Sequence, residues 1–295
     1  MTFSDDLKFI ANKVDKLLEE RFKVPNSPES RLVNAMRYSS IGSGKKIRPY
    51  IVFASSSIFD VPLNQSVLVG ASIEMVHTFS LIHDDLPCMD NDEIRRGKPS
   101  LHIEFDEATA TLAGNSLLIE AFKLLTSNII NEEAKIRIRL IDRLSEVSGY
   151  RGMCGGQMID LLSQSNNFEK SEILRINSMK TAAILSFCCE AGGILGGASN
   201  YECNALKDFG LDIGLAFQII DDILDVEGEE KKIGKKVNKD IDLGKKNLVS
   251  NYGLKFSKNE AKKLIDQANK NLECVFGVKS EKLQSLAKFI ILRDR

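Results

Sequence analysis

Three aspartates fall within five residues at Asp221-Asp222-Ile223-Leu224-Asp225. On a helix Asp221 and Asp225 are i, i+4 neighbours with Asp222 beside them, and like charges on one face repel. A hard divalent cation reverses that sign. Mg²⁺ takes one or two carboxylates together with waters and substrate phosphates. Gln218, three residues before Asp221 and seven before Asp225, shares the face. A second acidic cluster stands at Asp84-Asp85-Leu86-Pro87-Cys88-Met89-Asp90. Pro87 should end the preceding helix near Asp85, so that the chain turns and brings Asp90 back toward Asp84. Acids at a helix C-terminus oppose the macrodipole, which suggests a compensating cation. Taken singly, each cluster also reads as a solvated acidic helix end.

Basic groups complement them. Gly42-Ser43-Gly44-Lys45-Lys46-Ile47-Arg48-Pro49 is a flexible basic turn entering a helix, able to hold a diphosphate through Lys, Arg and helix N-terminal amides. It does not match the GxxxxGK[ST] phosphate loop. Arg95-Arg96-Gly97 follows the first acidic cluster, Lys180-Thr181 opens an apolar helix, and residues 231–246 are Lys-rich and interrupted by glycines. Each of these alone is equally a solvated charged surface. Acidic clusters and basic turns together suggest one chemistry, in which Mg²⁺ bridges a diphosphate to Asp residues while Lys and Arg neutralise the rest, easing departure of diphosphate.

Those groups must be positioned by helices. Leu7, Ile10, Val14, Leu17 and Leu18 lie on one helical stripe. Helical patterns continue from residue 31 to 39, then over 48–59 with Pro49 in the first turn, and over 63–85. After a polar loop at 90–102 they resume over 109–128, 132–148, 171–193, 205–226, 259–275 and 280–292. No strong run of alternating β-branched residues occurs, so strands are minor. The expected fold is an all-α single domain of roughly ten or more helices, with no linker dividing it. Leu81-Ile82-His83-Asp84-Asp85 and Ile219-Ile220-Asp221-Asp222 echo one another, too briefly to mark a duplication.

Composition narrows the class. The 295 residues are 43% hydrophobic, with 40 Lys+Arg against 41 Asp+Glu, ample for a large core. A net charge of −1 gives no whole-chain attraction to nucleic acid or anionic membrane. Sparse Gly and Pro (20 and 6) disfavour a loop-rich all-β fold. The six Cys show no CxxC pair or disulfide framework and read as thiols of a reducing compartment. Residues 1–22 lack the pattern of a secretory signal. The apolar runs 66–85 and 181–197 carry Glu74, His77 and Glu190, and read as buried core helices, so no stable membrane insertion is expected.

The chain resembles the trans-prenyltransferases (isoprenyl diphosphate synthases), in their bacterial farnesyl diphosphate synthase form. The matching motifs are GKKIRP at 44–49, LIHDDLPCMDNDEIRRGKPSLH at 81–102, LAGN at 112–115, GMCGGQMIDL at 152–161, KT at 180–181 and FQIIDDILD at 217–225. GK at 234–235 and LGKK at 243–246 complete the set, in the family's order and across most of the chain.

The resemblance implies an isoprenoid synthase fold, one polyprenyl synthetase domain over 1–295, with helices around a central substrate cavity. It implies that Asp84, Asp85, Asp90, Asp221, Asp222 and Asp225 bind three Mg²⁺ ions, with Mn²⁺ a substitute, holding the allylic diphosphate. Arg95, Lys180 and Lys235 would contact that diphosphate, with Lys245 a further contact. Lys45, Arg48, His77 and Arg96 match the pocket for isopentenyl diphosphate, and Thr181 and Gln218 match groups near the developing carbocation. The implied reaction is ionisation of the allylic diphosphate, attack by the isopentenyl double bond, and loss of a proton to diphosphate, with no protein nucleophile.

In this family the residue five before the first Asp sets the floor of the chain pocket. Here it is Phe79, about 7.5 Å along the helix from Asp84. An aromatic there should stop growth at C15, with small Ser80 leaving the blocking to Phe79; plain core packing is the other reading of that ring. Farnesyl diphosphate is the expected product and geranylgeranyl diphosphate the alternative. Asn115 replaces the usual Asp after LAG, and Ser43 stands where glycine is more common.

A class I terpene cyclase also uses Asp-rich metal sites, but Asp225 occupies its Ser/Thr position. A ferritin-like di-metal bundle needs two Glu-x-x-His motifs, and only Glu74–His77 is present. A noncatalytic subunit would be expected to lose the acidic clusters, and both remain. A cytoplasmic homodimer acting on small diphosphates, with no nucleic-acid partner, is the expected context.

Overall fold

Thr2 opens the first helix by accepting a hydrogen bond from the Asp5 amide while the Asp5 carboxylate accepts from the Thr2 backbone N–H, a reciprocal cap. The structure, a computed structural model, describes residues 2–42, 44–162, 169–227 and 247–292. In chain order the described helices are α1 (Phe3–Arg21), α2 (Ser30–Ser40), α3 (Ile47–Ser56), α4 (Leu63–Asp84), α5 (Leu101–Glu104), α6 (Glu107–Leu125) and α7 (Ala134–Ser148). There follow α8 (Met153–Leu162), α9 (Lys170–Asn177), α10 (Ala183–Leu195), α11 (Asn200–Glu227), α12 (Leu248–Tyr252), α13 (Leu254–Phe276) and α14 (Glu281–Leu292). The expected all-α class is what the chain adopts. The strands among the described residues are β1 (Ile94–Arg95) and β2 (Lys98–Pro99), paired antiparallel.

The chain falls into two compact units. The first comprises Met1–Phe53 and Pro62–Ile141. Its core helix is α4, which packs on α1, α2 and α6. α4 buries residues around most of its circumference, from Val67 and Val69 to Met75 and Ile82, because apolar and small side chains occupy nearly every position. It is long and apolar enough to cross a membrane, yet 72% of its most apolar window is buried inside the protein. Gly70 makes its approach to α3 possible, since a Cβ there would lie 2.8 Å from Pro49 Cα. Along α1, Leu7, Ile10, Val14 and Leu18 are buried, the stripe expected from their spacing.

The second unit comprises Ala54–Val61 and Asp142–Arg295. α11 packs on α10 and α13. α10 is buried from Ile184 to Leu195. Its one acid, Glu190, accepts a 2.9 Å hydrogen bond from Arg143 Nε, and this pairing lets a carboxylate sit in a core helix. The helical pattern over 171–193 is not one α-helix: a π-helical turn, Ser178–Ala182, separates α9 from α10.

Candidate active site

Pro87 cannot continue α4, and the chain folds back where expected. α4 ends at Asp84. The Asp90 amide then donates to the Asp84 carbonyl at 2.8 Å and the Asp92 amide to the Asp85 carbonyl at 3.2 Å. Two carbonyls at the helix terminus are thereby satisfied, and the return places Asp90 beside Asp84. Asp85 is buried. Burial pushes its carboxyl pKa up, and the Arg95 guanidinium pulls against that rise.

The hairpin that follows presents two arginines. Arg96 and Gly97 form its two-residue turn with φ of 54° and 74°, the left-handed pair that suits a tight hairpin. Arg95 Nε donates to Asp85 Oδ1 at 2.8 Å and Arg95 Nη2 to Asp92 Oδ2 at 3.0 Å. Burial works against the Arg95 charge, but Asp85, Asp92 and Asp84 together hold its pKa above the ordinary guanidinium value. The basic turn lies against Arg96, because a Cβ at Gly44 would come within 2.6 Å of Arg96 Cζ.

Lys45 is exposed at this turn, whereas Lys46 is buried. Lys46 Nζ donates to the Ser40 carbonyl at 2.6 Å and sits 3.5 Å from Glu74 Oε1 and 3.6 Å from Asp15 Oδ1. Glu74 lies one turn before His77 on α4. Burial lowers the His77 pKa well below its usual value, and Arg48, Arg96, Lys46 and Arg95 add to the effect. The ring is therefore neutral near pH 7, among cations suited to a polyanion. Of the expected substrate contacts in this unit, the structure draws Arg48, His77, Arg95 and Arg96 into one electrostatic neighbourhood, with Lys45 on the adjoining turn.

In the second unit Gln218 is the hub. Its amide nitrogen donates to Asp222 Oδ1 at 3.0 Å, and its carbonyl oxygen accepts from Thr181 Oγ1 at 2.9 Å. Gln218 shares one helical face with Asp221 and Asp225, as expected from their spacing on α11, and bonds in addition to Asp222 at i, i+4. Asp222 and Asp225 are buried and Asp221 is partly exposed. Lys180 Nζ donates to Asp160 Oδ2 at 2.6 Å. Lys180 and Thr181 both sit on the π-helical turn, a deviation often found at functional sites. Two glycines admit that turn. A Cβ at Gly156 would lie 2.4 Å from the Lys180 amide nitrogen, and one at Gly214 would lie 2.6 Å from Ala182 Cα.

Lys235 and Lys245 lie outside the described residues. Asp92, Asp160 and Glu74 were given no part in the site by the sequence, and Lys46, expected on the basic turn as one of its diphosphate-holding cations, is instead buried on Ser40, Glu74 and Asp15. Gln157, within the 152–161 motif, is buried with neither side-chain nitrogen nor oxygen hydrogen-bonded. The signal for Asp160 and Glu74 was a lone acid in an apolar helical stretch, which demands a cationic partner.

The donor set suits a hard cation, since every candidate ligand offers carboxylate oxygen. Among the described residues no three His, Cys, Asp or Glu side chains form a ready cage. A hard cation such as Mg²⁺ needs no such cage, since it usually takes one or two carboxylates together with waters and phosphate oxygens. Carboxylates backed by lysines and arginines can bind a metal–diphosphate and stabilise it as it leaves.

A family model described as polyprenyl synthetase matches residues 29–282. The farnesyl diphosphate synthase of Bacillus subtilis (strain 168) is 40% identical over 292 residues, covering 99% of this chain and 97% of that protein. An FPP/GFPP synthase from Zymomonas mobilis, solved in its apo form, superposes with a TM-score of 0.89 at 40% identity, covering 98% of each chain. A geranyltransferase from Helicobacter pylori, solved with magnesium and isoprenyl diphosphate, superposes with a TM-score of 0.86 at 31% identity over 97% of each chain.

Proposed function

The chain belongs to the polyprenyl synthetase family, and from that premise we propose that it is a farnesyl diphosphate synthase. It joins isopentenyl diphosphate to dimethylallyl and then geranyl diphosphate, releases inorganic diphosphate each time, and stops at C15. One observation carries the reading: a chain similar along its whole length to a farnesyl diphosphate synthase keeps the Asp84–Asp90 return and the Arg95-Arg96 hairpin bonded to it.

The residues divide by role. Asp84, Asp85, Asp90, Asp221, Asp222 and Asp225 hold Mg²⁺, which when bound supplies Lewis-acid stabilisation of the departing diphosphate. A relative solved with magnesium and isoprenyl diphosphate supports magnesium as the ion. Arg95 and Lys180 each rest on carboxylates, Asp85 with Asp92 and Asp160 respectively, and transfer to the allylic diphosphate as it arrives. Lys235 joins them in this reading. Lys45, Arg48, His77 and Arg96 hold isopentenyl diphosphate, with His77 entering as a neutral imidazole. The Thr181–Gln218 pair directs oxygen toward the developing cation. The allylic C–O bond breaks with its electrons on diphosphate, the isopentenyl double bond attacks, and the proton leaves to diphosphate. Phe79 closes the chain pocket and Ser80 leaves room beside it.

The polyprenyl synthetase match draws on both compact units, which supports one functional domain over 1–295. Leu112 and Ile119 are exposed one turn either side of exposed Asn115 on α6, an apolar face that supports a homodimer. All six cysteines are free thiols, in keeping with a cytoplasmic enzyme.

Diphosphate release tests the reading. Chelation of Mg²⁺ should abolish release from dimethylallyl with isopentenyl diphosphate, and Asp84→Asn or Asp221→Asn should lower kcat by about a hundredfold or more. Release at the wild-type rate by either variant would overturn it.

A further inference from the structure

Phe79 does not stand alone on α4. One helical turn later, the His83 ring meets it edge to face, with centroids 4.7 Å apart and planes at 69°. Helix side chains lean toward the N-terminus, so His83 leans onto Phe79. His83 is itself held from the other side: its Nε2 lies 3.3 Å from the Thr111 carbonyl on α6. The next turn of α6 offers Gly114 to the same ring. A Cβ at Gly114 would lie 2.4 Å from His83 Nε2 and 2.6 Å from Cδ2, so only a hydrogen fits there.

We propose that His83, seated against the Thr111 carbonyl and bare Gly114, is the prop that holds the Phe79 ring in place, and so is a positioning residue for product length. The inference rests on Phe79 being the floor of the chain pocket. An aromatic ring blocks a growing chain only if it cannot swing aside. An edge-to-face neighbour holds such a ring by more than the burial of its area alone supplies. The two sequence motifs involved, His83 before the first aspartate pair and Gly114 in LAGN, are then one device. Neither residue need touch substrate.

The experiment sizes products from purified full-length protein supplied with Mg²⁺, isopentenyl diphosphate and geranyl diphosphate, so that both C15 and C20 can form. The readout is the C20 fraction per product formed, which does not depend on how much protein is folded. His83→Ala removes atoms and adds none, freeing Phe79 to rotate. Gly114→Ala leaves both rings intact but displaces the His83 ring. Each should raise the C20 fraction about five- to tenfold, the population change that losing one aromatic contact permits. A merely structural role would lower total product and leave the fraction unchanged.

Phe79→Ala separates the two claims. If it yields C20 while His83→Ala keeps the wild-type C15 limit, the prop is overturned and the floor stands. If Phe79→Ala also stops at C15, the floor itself is wrong and the prop falls with it. Should Gly114→Ala fail to fold, His83→Ala decides alone.

Discussion

At Lys46 a positive charge is sealed inside the protein, with no exposed side-chain surface, between Glu74, Asp15 and the Ser40 carbonyl. Its backbone takes φ of 52°, uncommon for a residue with a side chain. The ion pairs offset the desolvation of Glu74, and the same cation adds to the field that keeps His77 neutral. Lys46→Met should cost about 3 kcal/mol in denaturant unfolding, because it strands a buried carboxylate. Adding Glu74→Gln should restore part of that loss; a single variant as stable as wild type would refute the pairing. Asp212 offers the opposite case. Burial, with Asp208 one turn away, pushes its pKa up to about 6 from an ordinary 3.8. The native state then binds the proton more tightly than the unfolded chain, so wild-type stability gains as pH falls through about 6 toward 4. Asp212→Asn should be the more stable protein near pH 8, and its advantage should shrink over that window. Thermal melts across pH check this; a constant difference would contradict it.

Elements were legible where a single pattern governed them. The α1 stripe, the buried α4 and the Pro87 break follow from spacing and proline chemistry, and the structure agrees within a few residues at each end. The return of Asp90 to Asp84 was legible for the same reason. The π-helical turn at Ser178–Ala182 was not, because the apolar pattern runs straight through it and one extra residue per turn leaves no compositional mark. α8 was hidden as well, its Gly155 and Gly156 being poor helix formers. Gly156 reflects tertiary packing against Lys180, as Gly214 on α11 does against Ala182. Gly214→Ala places a methyl 2.6 Å from Ala182 Cα, which is backbone and cannot step aside. The expected cost is about 1–3 kcal/mol of stability. Because the turn carries Lys180 and Thr181, kcat should fall in the fraction that remains folded. Unchanged kcat and unchanged melting would mean that the turn is not clamped there.

For the whole molecule, the family resemblance carried by ordered motifs between residues 44 and 246 pointed to the enzyme class, while contacts among buried charges emerged only with the fold. Asp160 and Lys46 are single residues whose charged partners, Lys180 and the Asp15–Glu74 pair, are distant in sequence, so no spacing announces them. Association is a property of this scale too. If the α6 face carries a homodimer, Leu112→Glu with Ile119→Glu should halve the sedimenting mass, and a monomeric wild-type protein would contradict that reading. The central claim is that this chain makes C15 and stops. Its most direct test is to incubate the protein with Mg²⁺, isopentenyl diphosphate and, separately, dimethylallyl, geranyl or farnesyl diphosphate, then size the dephosphorylated alcohols. The account predicts farnesol from the first two starters and no elongation of the third. Geranylgeraniol as the main product would contradict the C15 limit, and no condensation with any starter would contradict the enzyme itself.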